Sequence, residues 1–232
     1  MANRKNNVEA LLERSSKDIR NIKFEYSASL QANEVSTNLK INIKNFCENL
    51  RSVLDYLANE IREVHCQTAK PNNNFYFPIF LDRKQFESHI RRWFPDLEKN
   101  KPDLWNYLET IQPYHTGYEW LGYFNKLNNE NKHGDLVEQI RSERKEVRAI
   151  SKSRTQVNWN PDTVSFGKGV YIGGVPIDPK TQLPVPDPSQ TITKITWIDF
   201  QFAGIEVSAL KLLQQTLGGI RKINENVYRL NE

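Results

Sequence analysis

From Val8 onward the apolar positions Val8, Leu11, Leu12, Ile19, Ile22 and Tyr26 fall mostly three or four residues apart, with charged residues between them. That spacing marks one face of an α-helix and predicts a first helix. A longer stripe of Leu39, Ile43, Phe46, Leu50, Val53, Leu54, Leu57, Ile61 and Val64 predicts a second helix over 36–65. Pro71 and the Asn72-Asn73-Asn74 cluster end it, and the loop that follows carries Phe75-Tyr76-Phe77 before Pro78. Short helices are predicted over 83–93 and 102–110. Asp103 beside Pro102 suits a helix start, where negative charge meets the exposed amides. The next helix begins near Tyr118 and presents Trp120, Leu121, Phe124 and Leu127. After a polar stretch over 128–134, Leu136, Val137 and Ile140 resume the spacing, so helix is expected as far as 148. Gly134 either caps its first part or breaks it midway.

Beyond residue 155 the pattern changes. Residues 163–177 are rich in β-branched and aromatic side chains and are punctuated by Gly167, Gly169, Gly173 and Gly174. Residues 191–202 (TITKITWIDFQF) largely alternate, and the four prolines of DPKTQLPVPDPSQ between the two stretches make a loop. A β-hairpin or small meander with a long loop at its tip is expected. A final helix over 205–230 shows Leu210, Leu213, Leu217, Ile220, Ile223 and Val227 at helical spacing. The predicted fold class is therefore mainly α, in a single domain spanning 1–232. Residues 1–154 and 205–232 form a helical bundle, and 155–204 are a β-hairpin insertion before the C-terminal helix.

Composition narrows this picture without naming a function. The chain has 232 residues, 38% hydrophobic and 26% charged, with a mean hydropathy of −0.68. Eleven per cent aromatics with only 10 Gly and 11 Pro belong to a folding chain rather than a disordered one. No stretch approaches the roughly 18 apolar residues of a membrane span, and MANRKNNVEALLERSSKD lacks the apolar core of a secretory signal. A cytoplasmic protein with no membrane partner is expected. Cys47 and Cys66 cannot build a disulfide scaffold, and no CxxC or HxxxH spacing points to metal, so free thiols are expected. The net charge of +4 permits a nucleic-acid partner without demanding one.

Polar residues interrupt the apolar stripes in two places. Arg51, Asp55 and Asn59 follow one another at four-residue steps beside the stripe of the second helix. On the 118–148 segment Asn128 and Asn131 sit three apart, while Lys126, Asn129 and His133 form a second line, since seven residues return a helix to nearly the same azimuth. One reading is a satisfied structural network, with Arg51 paired to Asp55 and the asparagines linking helices. The other is a metal-independent site that cleaves a phosphodiester. In it His133 moves a proton near neutral pH, and a cation stabilises charge on the phosphoryl oxygens.

LRSVLDYLANEI (50–61), YFPIF (76–80), IQPYH (111–115) and LNNENKHGDLV (127–137) occur together in that order. The set resembles the HEPN-like helical proteins of bacteria and phages, over roughly residues 36–140. The resemblance implies a helical bundle, commonly a homodimer, that cleaves or binds RNA in toxin–antitoxin or phage-defence systems without a metal or nucleotide cofactor. It implies RNA as a partner, together with an antitoxin or defence component; other members are non-catalytic binding modules. The family's nuclease signature is an Arg, usually followed by a polar residue, with four to six residues before a His. His133 matches the histidine, and Lys126 stands at the arginine's place with six residues between them. Lysine lacks the bidentate fork that suits phosphate, so either Arg51 substitutes or the site is not a nuclease. In the cleaving version Arg51 or Lys126 stabilises the pentavalent phosphate, Asn131 orients His133 and Asp55 holds Arg51.

Other residues carry weaker signals. His115 is either a loop histidine that caps or hydrogen-bonds backbone, or a second acid–base partner for His133. Lys132 and the basic run Arg141, Arg144, Lys145 and Arg148 form either a solvated helix face or a surface that steers RNA to the site. The cluster His89-Ile90-Arg91-Arg92-Trp93 mixes cations with an aromatic ring, as single-strand binders do. GKGVYIGG lacks the GK[ST] ending of a P-loop and reads as turns. The alternative to an RNA-directed protein is a non-catalytic helical interaction module whose polar network is structural and whose hairpin tip is a docking surface.

Overall fold

The computed structural model of the chain describes residues 2–32, 34–69, 75–133, 139–151, 156–159, 163–172, 174–185, 190–205 and 207–231. Within these, the side chains of 2–3, 131–133, 141, 144–146, 148, 151, 156 and 190–198 lie outside the description. The predicted amphipathic stripes become α1 (Ala2–Ala32), α2 (Thr37–His65), α3 (Arg83–Trp93), α5 (Pro102–Thr110), α6 (Glu119–His133) and α7 (Ala209–Asn231). A single turn, α4 (Leu97–Asn100), is too short to leave a periodic signal and was not expected.

Ser36 starts α2 by accepting a hydrogen bond from the Leu39 amide at 3.1 Å, which satisfies one of the unpaired N–H groups of the first turn. Only a few residues separate α1 from α2, so the two run antiparallel as a helical hairpin. Asn42 donates to Glu25 at 2.9 Å near the turn, and Arg4 donates both guanidinium nitrogens to Glu63 at 2.8 Å near the open end. Both pairs fit one register. α2 then buries Leu39, Ile43, Phe46, Leu50, Val53, Leu54, Leu57 and Ile61, and packs against α1, α6 and α7. α7 answers with Leu212, Leu213, Leu217, Ile220, Ile223 and Val227, while α6 adds Trp120, Leu121, Phe124 and Leu127. Fully burying each such side chain stabilises by about 1.5–3 kcal/mol, so α2 and α7 are the structural centre of this unit.

The aromatic loop is held by two polar side chains. Asp55 Oδ1 accepts from the Phe77 amide at 3.1 Å. The buried Gln112 accepts from the Phe80 amide at 2.9 Å and donates to the Pro78 and Leu108 carbonyls at 3.1 and 2.7 Å. Phe77, Ile79 and Phe80 are buried as a result.

The chain forms two compact units, one of Met1–Ile140 with Gln201–Glu232 and the other of Arg141–Phe200. In the second, β1 (Gln139–Ser151) lies between β2 (Gln156–Trp159) and β6 (Gln190–Phe202), while β3 (Tyr171–Ile172), β4 (Val175–Asp178) and β5 (Leu183–Pro184) form a small meander. β1 and β2 are antiparallel, with Val147 opposite Trp159 and Ala149 opposite Val157. Val147, Ala149, Trp159 and Ile177 form this unit's core, with Phe166 packed on it. Gln182, at φ 58°, is held there by its side chain, which accepts from the Phe166 amide at 2.6 Å, and by its carbonyl, which accepts from Trp159 Nε1 at 3.0 Å.

Two expectations are corrected. Helix does not continue to 148: α6 ends at His133, immediately before Gly134, and residues from Gln139 form a strand. The two-residue spacing of the buried Val147 and Ala149 overrides the helical spacing read from Ile140, which is exposed. Leu136 and Val137 lie outside the described residues. The basic run after His133 is therefore on β1 rather than on a helix face. Nor does 163–177 pair with 191–202. β6 lies beside β1, and positive φ at Gly169 (82°) and Gly174 (84°) breaks the 163–177 stretch into turns. The coarse class stands: the chain is mainly helical with small antiparallel sheets. Among the described residues no helix is long and apolar enough to cross a membrane.

Candidate polar site on helices α2 and α6

Arg51 is 8% exposed, on the face of α2 that meets α6. Its Nε donates to Asp55 at 3.3 Å, as the four-residue step between them predicts. One terminal nitrogen donates to Asn125 Oδ1 on α6 at 3.1 Å, and the guanidinium carbon lies 5.4 Å from the centre of the Tyr76 ring. Asp55 uses its other oxygen for the Phe77 amide. Arg51 thus ties α2, α6 and the aromatic loop together by two hydrogen bonds and a cation–π contact. Asn59 is not part of the junction, because its side chain donates back to the Asp55 carbonyl at 2.7 Å.

Lys126 occupies the next position on α6 and turns to a different neighbour. Its ammonium donates to the Gly204 carbonyl at 3.0 Å and lies 3.9 Å from Glu130. Gly204 has φ 69°, and a Cβ there would come within 3.0 Å of the ammonium, so lysine and glycine are fitted to each other. Asn128 is only 1% exposed, and among the described residues neither its amide nitrogen nor its oxygen has a hydrogen-bond partner. The side chains of Asn131, Lys132 and His133, on the last turn of α6, lie outside the described residues, as do those of Arg141, Arg144, Lys145 and Arg148 on β1.

Among the described residues the His115 side chain is paired with a carboxylate rather than with backbone. Its Nε2 is 3.0 Å from Glu109 Oε1, which also accepts from the Tyr114 hydroxyl at 3.2 Å, and the two rings are 4.7 Å apart. Burial raises the Tyr114 hydroxyl well above the usual range for tyrosine, and the nearby Glu109 charge adds to the shift. Both thiols are buried and free. Burial pushes Cys66 up to about 12 and raises Cys47 as well, so neither is a thiolate at neutral pH. Among the described residues no three His, Cys, Asp or Glu side chains are grouped to hold a metal.

Of the residues singled out by sequence, the structure joins Arg51 to Asp55 and places Lys126 and His115 in separate interactions. Sequence reading passed over Asn125, Tyr76 and Gln112. Asn125 and Asn128 share a helical step, and that spacing was the available signal for the former; Gln112 had none, because its partners are loop backbone groups. No family model, curated protein or solved structure matches this chain.

Proposed function

We propose that the chain is a HEPN-like helical module that binds RNA and does not cleave it through the residues at the family's catalytic positions. The observation that carries this reading is the commitment of Arg51. A catalytic cation must be free to meet charge that develops on the phosphoryl oxygens. Arg51 is instead buried against Asp55, Asn125 and Tyr76, and removing a cation from such a pairing exposes its partners to unpaired burial. Lys126, the other candidate, lacks the guanidinium fork, and one of its three N–H groups is already directed at the Gly204 carbonyl. The sequence resemblance supplies RNA as the ligand.

The test is incubation of the purified protein with total RNA in EDTA, beside His133→Ala. Intact RNA with both proteins, and retention of single-stranded RNA on a filter by both, are expected. Fragments with cyclic-phosphate ends, made by the parent and lost in His133→Ala, would overturn the non-cleaving half. Failure of both proteins to retain RNA would overturn the binding half.

A second reading, docking of a protein through the meander of the Arg141–Phe200 unit, is favoured by the exposed apolar side chains Tyr171 and Val185. Deleting residues 179–189 should then abolish capture of that protein while RNA retention is unchanged.

A further inference from the structure

α7 carries two adjacent glycines in its interior, Gly218 and Gly219. Glycine is the poorest helix former apart from proline, so each needs a cause. For Gly219 the cause is packing: a Cβ there would lie 2.2 Å from Trp120 Cζ2, inside the space of the indole. Gly218 has no such cause, since a Cβ there would meet nothing within 4 Å. Its effect is to keep a low saddle between two cavities, both of which it lines.

The first cavity, of about 380 Å³, is walled by Tyr107, Tyr118 and Trp120, with Gln215, Lys222 and Asn226 supplying polar groups. Asn226 donates to the Tyr107 hydroxyl at 3.3 Å and so holds that ring in the wall. The second, of about 390 Å³, lies between α1 and α7 and gathers Arg20, Lys23 and Arg221. Among the described residues no carboxylate lines either cavity. Arg221 donates to Ser16 Oγ. Phe24 is 78% exposed, about 40° round α1 from Arg20 by the helical repeat, on the outer edge of the cations.

We infer that this surface is a binding site for single-stranded RNA, whose backbone crosses α7 at Gly218. One base enters the tyrosine-walled cavity, where Gln215 and Lys222 can meet its polar edge. Successive phosphates pass over the glycine to Arg20, Lys23 and Arg221, and a neighbouring base stacks on Phe24. The chemistry selects among ligands. An acidic peptide would satisfy the cations but leave the aromatic cavity empty. A duplex keeps its bases stacked inside and has none to insert. A lone nucleotide has no use for Phe24. The inference takes its ligand from the RNA-binding reading but uses none of Arg51, Lys126 and His133.

The test is fluorescence anisotropy of a labelled adenosine RNA octamer across a salt series, with the full-length protein. The Cβ of Gly218→Leu meets nothing within 4 Å and leucine is the better helix former, so the variant should melt no lower than the parent and yet bind at least about tenfold more weakly. Phe24→Ala should weaken binding at least about fivefold, the lower end of one base–aromatic stack. Arg20→Ala with Lys23→Ala should reduce the log–log salt slope by about 1.4, at roughly 0.7 for each single-strand phosphate contact. Octamer binding that is unchanged in all three variants would reject this surface and leave the RNA-binding reading standing. Binding of adenosine monophosphate as tight as that of the octamer would reject the strand. No octamer binding by the parent would reject the RNA-binding reading itself.

Discussion

Two single residues show how differently polar groups register in a sequence. Arg51 and Asp55 are four apart, and that step alone placed them together. Gln112 is isolated in the chain, and its importance comes from loop carbonyls and amides that only folding brings to it. Gln112→Ala should strand the buried Phe80 N–H and the Pro78 carbonyl and cost roughly 3 kcal/mol, read as a lower midpoint in urea. A change under about 1 kcal/mol would mean that water replaces the amide. Tyr107 offers a pH test. Burial pushes its hydroxyl up to about 12, against a smaller opposing effect of the Asn226 hydrogen bond. The fold therefore favours the neutral phenol. Its contribution is complete below the unfolded value near 10 and is lost as pH rises through about 12. Tyrosinate absorbance of the native protein should lose one late-titrating tyrosine in Tyr107→Phe, while the still later Tyr114 and Tyr228 remain.

At the scale of elements, the glycine pair of α7 predicts opposite outcomes for the same substitution at neighbouring positions. Gly218→Ala adds a methyl to open space and should stabilise by up to about 1 kcal/mol through helix propensity. Gly219→Ala drives its methyl into Trp120 and should destabilise by about 1–3 kcal/mol. Thermal melting of the two variants checks the sign of each, and equal shifts would contradict the packing described. The helices α2, α3 and α5 were legible almost to the residue, because the apolar spacing is regular and Pro102 with Asp103 marks the start of α5; the caps Ser36 and Asp82 show only in the fold. The segment after His133 was not legible. Ile140 continued a helical rhythm by accident, and without β1 the true neighbour of β6 was hidden.

For the whole molecule, composition and periodicity sufficed for a mainly helical chain with a β element, since both follow from local spacing. The Arg141–Phe200 unit depends on pairing strands far apart in the chain, which no local pattern encodes. The candidate site was legible only as a list of residue types. Whether a cation is free or committed is decided by tertiary partners such as Asn125. Stability should likewise be concentrated where the buried stripes meet. Amide hydrogen exchange should be slowest in α2 around 50–57 and in α7 around 213–220, with α1 faster because its apolar face is sparser. Equal protection of α1 would count against α2 and α7 as the centre.

The packing of α7 onto α2 also has a consequence for synthesis. α2 emerges from the ribosome early, whereas α7, which covers part of its stripe, follows only after the entire Arg141–Phe200 unit has been made. At ordinary elongation rates that interval is on the order of ten seconds. For that time the apolar stripe of α2 lacks its full cover, and the nascent chain presents a sticky helical surface to whatever chaperone meets it first.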